Sequence, residues 1–249
     1  MFPTEEVTLP SKGLIYPPEN PLSKGVVEMK YMTAKEEDIL TNESYIKKGT
    51  VIDKLLQSLI VTPINYDDLI IGDKNALLVA SRVLGYGKDY TFKVKNKQGE
   101  DEEHTIDLTE LEDKELQEEY LLEIGKNEFE FTLPTTKKVI TFKLLNTRDE
   151  RKIEAEVKSL KKTTKVESLL TTRLKHMILS VDGDYETKTI RNFVDNQFLS
   201  KDTRVFREHL TKVQPDVNMK ITLEMEDGDV MEDIQLPIGI TFLWPDARI

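Results

Sequence analysis

Val139-Ile140-Thr141-Phe142-Lys143-Leu144-Leu145, leading into Thr147-Arg148-Asp149-Glu150, is the stretch on which the fold turns. Its first part alternates in polarity with period two, the pattern of a strand with one buried face. Its second part fits the Thr-x-x-Glu capping box, in which the threonine oxygen accepts from an orphaned helix N–H and the glutamate reaches back to the cap. A strand is therefore expected to run into a helix. The same order occurs earlier, as Val26-Val27-Glu28-Met29-Lys30-Tyr31-Met32 and then Thr33-Ala34-Lys35-Glu36, with the two boxes 114 residues apart.

The correspondence extends outward from this pair. Upstream, Thr8-Leu9-Pro10 recurs 124 residues on as Thr132-Leu133-Pro134. Downstream, Thr50-Val51-Ile52-Asp53 answers to Thr164-Lys165-Val166-Glu167, with Leu55, Leu56 and Ile60 opposite Leu169, Leu170 and Leu174. These apolar positions fall at helical spacing and predict a second amphipathic helix in each copy. Farther on the offset becomes 129: Asp73 matches Asp202 as an expected N-cap, Leu77 matches Phe206, and Tyr90, Phe92 and Val94 match Met219, Ile221 and Leu223. Gly99 matches Gly228 in the turn that follows, and the return strands carry His104, Ile106 and Leu108, then Met231, Ile234 and Leu236. Each copy should thus end in a hairpin.

Recurrence in a single order, with length changes confined to Pro-, Gly- and charge-rich loops, predicts an internal duplication. The expected fold is α+β, with two lobes over residues 1–123 and 124–249, each packing helices on short antiparallel strands and a β-hairpin. The Glu-rich segment 109–123 is expected to be a helix linking the lobes.

The 249 residues include 35 Lys+Arg and 46 Asp+Glu, a net charge of −11. Nucleic-acid affinity comes mainly from cations displacing counterions off phosphates, so this balance argues against nucleic acid as a partner. A 38% hydrophobic share suffices for a packed core. Zero Cys removes disulfides, thiolate zinc sites, iron–sulfur clusters and cysteine nucleophiles, and suits a reducing cytoplasm. Met1 to Glu6 lacks a basic leader and an apolar signal core, and no apolar run approaches the ~20 residues that span a bilayer, so a soluble chain without a membrane partner is expected.

Chemistry-bearing motifs are sparse. His104, His176 and His209 fall at unrelated positions, and GxSxG, HExxH, a Walker loop and a helix-opening GxGxxG do not occur. Gly85-Tyr86-Gly87-Lys88 resembles a phosphate loop but follows a helix, where glycine ends the helix in the left-handed conformation. No catalytic residue and no small-molecule substrate is assigned. Glu224, Glu226, Asp227, Asp229, Glu232 and Asp233 offer oxygen ligands for Ca²⁺ or Mg²⁺, although carboxylates beside an Asp-Gly turn are commonly just solvated. Lys158, Lys161, Lys162, Lys165, Arg173 and Lys175 form the one basic concentration, interleaved with Glu154, Glu156 and Glu167. The apolar end Pro237-Ile238-Gly239-Ile240-Thr241-Phe242-Leu243-Trp244-Pro245 holds the single Trp, and either closes the second lobe's core or docks a partner.

Leu9-Pro10-Ser11-Lys12-Gly13-Leu14-Ile15-Tyr16-Pro17, Met32-Thr33-Ala34-Lys35-Glu36-Glu37-Asp38-Ile39-Leu40, Ser81-Arg82-Val83-Leu84-Gly85-Tyr86-Gly87-Lys88-Asp89-Tyr90 and Phe242-Leu243-Trp244-Pro245-Asp246 stand in this order along the chain. Together they resemble the baseplate hub subunit family of contractile-tailed, T-even-like bacteriophages. The resemblance implies a non-enzymatic, structural or chaperone-like protein that builds the central hub of the tail baseplate. It implies other hub proteins as partners, and a location in the host cytoplasm during assembly or in the baseplate of the virion. It also implies Cys pairs arranged like zinc ribbons in the two hairpins. The turns here, Lys95-Asn96-Lys97-Gln98-Gly99 and Glu224-Met225-Glu226-Asp227-Gly228, carry no thiol, so no metal or cofactor is expected. The paired lobes should present two similar but unequal faces to different hub proteins, with Phe242, Leu243, Trp244 and Ile240 as the anchor. Two other classes stay open: a metal-dependent hydrolase at Asp227 and Asp229, and a nucleic-acid module on the Lys158 to Lys175 face.

Overall fold

Strand β1 (Thr4–Thr8) and strand β2 (Val26–Lys30) pair antiparallel, with Thr4 opposite Lys30. The loop between them closes because Gly13 and Gly25 sit at φ +77° and +70°, where a Cβ would come within 2.4 Å of Ser23 O and 2.7 Å of Lys12 O respectively. The computed structural model describes residues 3–164 and 168–244.

Three short helices follow, α1 (Ala34–Leu40), α2 (Glu43–Lys48) and α3 (Val51–Leu59), and then the long α4 (Ile71–Tyr86). Against α4 pack α3 and β1, together with two elements from the far end of the chain, β9 (Asp216–Val217) and α9 (Ile240–Leu243). A helix contacted from so many sides has no wide polar face, and Ala76, Leu77, Leu78 and Val79 are all buried. Hairpin β3 (Asp89–Lys95) to β4 (Asp101–Asp107) pairs in regular register from Asp89↔Asp107 to Lys95↔Asp101.

The second half opens with β6 (Phe129–Thr132) and β7 (Val139–Phe142), which β8 (Ile178–Val181) extends to a three-stranded antiparallel sheet. Helices α5 (Thr147–Thr164), α6 (Leu169–Met177), α7 (Thr187–Asn196) and α8 (Ser200–Val213) are followed by the hairpin β10 (Lys220–Glu224) to β11 (Val230–Gln235). This hairpin bulges: Ile221 faces Ile234 but Leu223 faces Met231, and Asp233 takes φ +57°.

The architecture is α+β with small antiparallel sheets, as expected. Two kinds of contact occur in both halves. Buried Glu36 accepts from Lys30 Nζ at 2.8 Å, and buried Asp149 from Lys143 Nζ at 2.7 Å, each pair joining a strand end to the helix that follows. Asp73 holds the loop after Leu9-Pro10, and Asp202 the loop after Leu133-Pro134. Neither aspartate is the expected N-cap. Each is the third residue of its helix, still close enough to the N-terminus for the dipole to favour its charge.

Other expectations need correction. The second capping box is Asn146 with Asp149, one residue earlier than Thr147 with Glu150: Asp149 N–H donates to Asn146 Oδ1 at 2.9 Å and Asn146 N–H to Asp149 Oδ2 at 3.3 Å. Thr147 is diverted, its N–H and hydroxyl both donating to Leu69 O. Lys165, Val166 and Glu167 lie outside the described residues, and Thr164 is the last residue of α5. Leu169 and Leu170 are exposed, whereas Leu55 and Leu56 are fully buried; α6 buries Leu174 and Met177 instead, spaced like Leu56 and Leu59. Strand β8 on β7 is matched in the first half only by a single bridge, Ile60 to Met29 of β2, just after α3.

Segment 109–123 is not a helix. It contains strand β5 (Asp113–Lys114), paired with β9, flanked by 3-10 turns at Leu108–Glu110 and Glu118–Tyr120. A helix would stack Glu110, Asp113 and Glu119 near other carboxylates at i+3 and i+4 spacing, while extended backbone lets Lys114 Nζ bond the carbonyls of Thr211 and Gln214. The boundary at 123/124 is crossed by β5 with β9, by α4 with α9, and by the bridge Ile70↔Asn146. The lobes share one continuous core.

Candidate interaction surface

The C-terminal turn is where a partner anchor was expected. Phe242 and Leu243 are both 0% exposed, and α9 lies on α4 of the first half. Phe242 meets the edge of Tyr90 at 4.9 Å, and Tyr90 hydroxyl donates to Pro237 O at 2.7 Å. The tail thus closes the core of the first half, and Phe242 and Leu243 cannot serve as a free anchor. Removing their area from water within the chain uses the property that made them candidates. Ile240 and Trp244 stay half-buried; Pro245 and Asp246 lie outside the described residues.

The stretch Ser81 to Tyr90 is a structural clasp. Arg82 is buried, donates to Gly87 O at 2.7 Å and Asp89 O at 2.9 Å, and lies against the rings of Tyr86 and Tyr90. It ends α4 and fastens β3, with Gly87 at φ +85° after the last turn.

The acidic turn of the second hairpin leans on the first. Asp229 pairs with Lys97 at 2.5 Å, Asp227 accepts from Gln98 at 3.3 Å, Glu226 N–H donates to buried Glu102 at 3.0 Å, and Asp233 pairs with Lys220 at 3.5 Å. The bond to Asp229 raises the Lys97 ammonium above its ordinary value. Among the described residues, no group of three or more His, Asp or Glu is placed to hold a metal ion.

The basic run is similarly engaged. Arg173 forks onto Glu150 at 2.7 and 2.9 Å, Lys175 pairs with Asp195 at 2.6 Å and Lys158 with Glu154 at 3.6 Å; Lys165 lies outside the described residues. The histidines stay apart. His176 bonds Glu156 at 2.9 Å, which also takes Arg191 at 2.9 Å; the Arg191 bond, working against partial burial, holds the Glu156 carboxyl below its ordinary value. His209 stacks on Phe131 at 4.4 Å, and burial lowers its imidazole. His104 Nε2 is buried without a hydrogen bond, 3.8 Å from Glu102.

One surface feature has no counterpart in the sequence expectations. A groove of ≈320 Å³ opens beside β1, walled by Val7, by Ala76, Val79, Ala80 and Val83 of α4, and by Leu108 and Leu111. The α4 residues recur every three or four positions with two alanines among them, so one face of the helix is both apolar and low. Its rim carries Glu5, Glu6 and Asp113, and no basic residue lines it. Burial first, then the charges of Glu115 and Asp216, push the Asp113 carboxyl above its ordinary value.

No family model, curated protein or solved structure matches the chain.

Proposed function

We propose that the chain is a non-enzymatic component of the tail baseplate hub of a contractile-tailed bacteriophage, structural or chaperone-like, acting through protein–protein contacts. The observation that carries this reading is the ordered set of four stretches resembling the hub subunit family, running from Leu9-Pro10-Ser11 to Phe242-Leu243-Trp244. Their placement supports it. Ser11 and Tyr16 grip Asp73, Thr33 grips Glu36, Arg82 clasps α4 to β3, and Phe242 seals the core, so the resembling residues specify a shape. The joints shared by the two halves favour a doubled ancestral unit that now presents unequal faces. Other hub proteins are the partners on this reading, met in the host cytoplasm during assembly.

The test is affinity co-purification of the tagged chain with hub proteins from infected cells, joined to mass spectrometry of purified virions. Specific co-purification supports the reading, and presence in the virion then separates a subunit from a departing chaperone. Failure to associate with any tail protein, or turnover of a substrate by the isolated chain, overturns it.

A further inference from the structure

The groove beside β1 adjoins an open sheet edge. Bonds from Tyr31 N–H to Pro3 O and from Leu9 N–H to Gly25 O set the ladder, so Pro3, Glu5, Val7 and Leu9 turn their backbone groups toward β2. The N–H and C=O groups of Thr4, Glu6 and Thr8 point the other way, and among the described residues no strand pairs with them. Exposed edges of this kind are normally covered or blunted, because they template pairing with another chain.

We propose that this edge and its groove bind an extended segment of a partner protein, added as a strand to β1, with apolar residues alternating with basic ones. The proposal rests on the surface-acting reading above and names the chemistry of one partner contact. Main-chain bonds to Glu6 and Thr8 supply affinity; alternate side chains fill the floor at Ala76, Ala80 and Val83, and the remainder face the rim. Charge complementarity sets their sign. Glu6 and Asp113 have no ion-pair partner among the described residues, and the nearby cations are already engaged, Lys12 with Glu115 at 2.5 Å and Lys114 with the carbonyls of Thr211 and Gln214. A second copy of the chain fits poorly, since pairing two Thr4-Glu5-Glu6-Val7-Thr8 edges sets glutamates against glutamates.

The probe is a short capped peptide alternating Val and Lys, measured against the full chain by fluorescence anisotropy at two salt concentrations. Binding is expected to weaken with salt, to be absent for the matching Val/Glu peptide, and to slow hydrogen exchange at the Glu6 and Thr8 amides. Glu6→Pro removes an outward donor without touching the β1–β2 ladder and should weaken binding about tenfold at an unchanged unfolding midpoint. Glu6→Lys gives a second readout, with weakened Val/Lys binding, in case proline disturbs the strand. The proposal is overturned by no binding, by equal binding of the Val/Glu peptide, by Glu6→Pro and Glu6→Lys chains that fold and bind normally, or by a self-dimer that the peptide displaces. Hub proteins that co-purify equally with wild-type and Glu6→Pro chains overturn the groove alone. Peptide binding without any hub co-purification overturns the hub reading alone.

Discussion

Asp73 and Asp202 occupy matching places and hold matching loops, yet their protons behave oppositely. Asp73 accepts from Ser11 N–H at 2.9 Å, Ser11 hydroxyl at 2.7 Å and Tyr16 hydroxyl at 2.6 Å, but deep burial outweighs these bonds and lifts its carboxyl to about 6. At Asp202 burial also opposes the charge, but the donors at Thr135 and Thr136 win and bring it to about 2. Glu36 behaves like Asp202: burial is outweighed by bonds from Lys30, Thr33 and Ser58, giving about 2. A depressed carboxyl contributes stability that is full above its unfolded value and lost as pH falls toward the folded one. A raised carboxyl works the other way, so the Asp73 contribution declines as pH rises from its unfolded value through about 6. Glu36→Gln should cost about 3 kcal/mol at pH 7 and almost nothing near pH 2, so urea midpoints of variant and wild type converge on acidification. Parallel curves would remove Glu36 from the acid limb. A carboxyl-detected NMR titration should find Asp73 moving near pH 6 and Glu36 near pH 2; ordinary values at both would refute the assigned environments.

Helix α4 shows how packing between elements, more than propensity, decides what a position tolerates. Gly72, in its first turn, has an ordinary φ, yet a Cβ there would lie 1.9 Å from Pro215 O, backbone against backbone. Gly49 sits at φ +68° with nothing within 4 Å. Gly72→Ala should therefore cost more than about 2 kcal/mol by forcing α4 away from β9, and Gly49→Ala about 1 kcal/mol of local strain. Denaturant unfolding of the two variants measures both, and equal costs would contradict the close approach. The periodic strands, both hairpins and the first capping box were legible in the sequence because each rests on contacts only a few residues apart. The linking helix failed because the pairing of Lys114 with Asp216 is remote in sequence and leaves no local mark. Helix α7 was readable in principle, with Ile190, Phe193 and Val194 at helical spacing, but Glu186 offers no side-chain cap to announce it. The β1 groove was hidden for a similar reason: its floor is an ordinary helix face, and only the tertiary arrangement sets Val7, Leu108 and Leu111 around it.

The chain is threaded so that its two halves complete each other. Phe242 lies against Tyr90, Val217 and Asp216 pair with β5, Asn75 donates to Asp216 at 2.8 Å, and Ile71 N–H donates to Leu145 O at 3.2 Å. Cutting at 123/124 would expose buried Tyr90, Phe92 and the faces of α4 that β9 and α9 cover, while leaving the backbone of β5 unpaired. Fragments that lose this much apolar contact while keeping the full entropy cost of ordering are expected to unfold. Residues 1–123 alone should therefore show no cooperative thermal transition by circular dichroism, and co-expression with 124–249 should recover a soluble complex. The intact chain should unfold in a single step whose calorimetric and van't Hoff enthalpies agree. A fragment 1–123 that melts cooperatively on its own, or two resolved transitions in the whole chain, would mean that each half closes its own core and that the crossing contacts are incidental to stability.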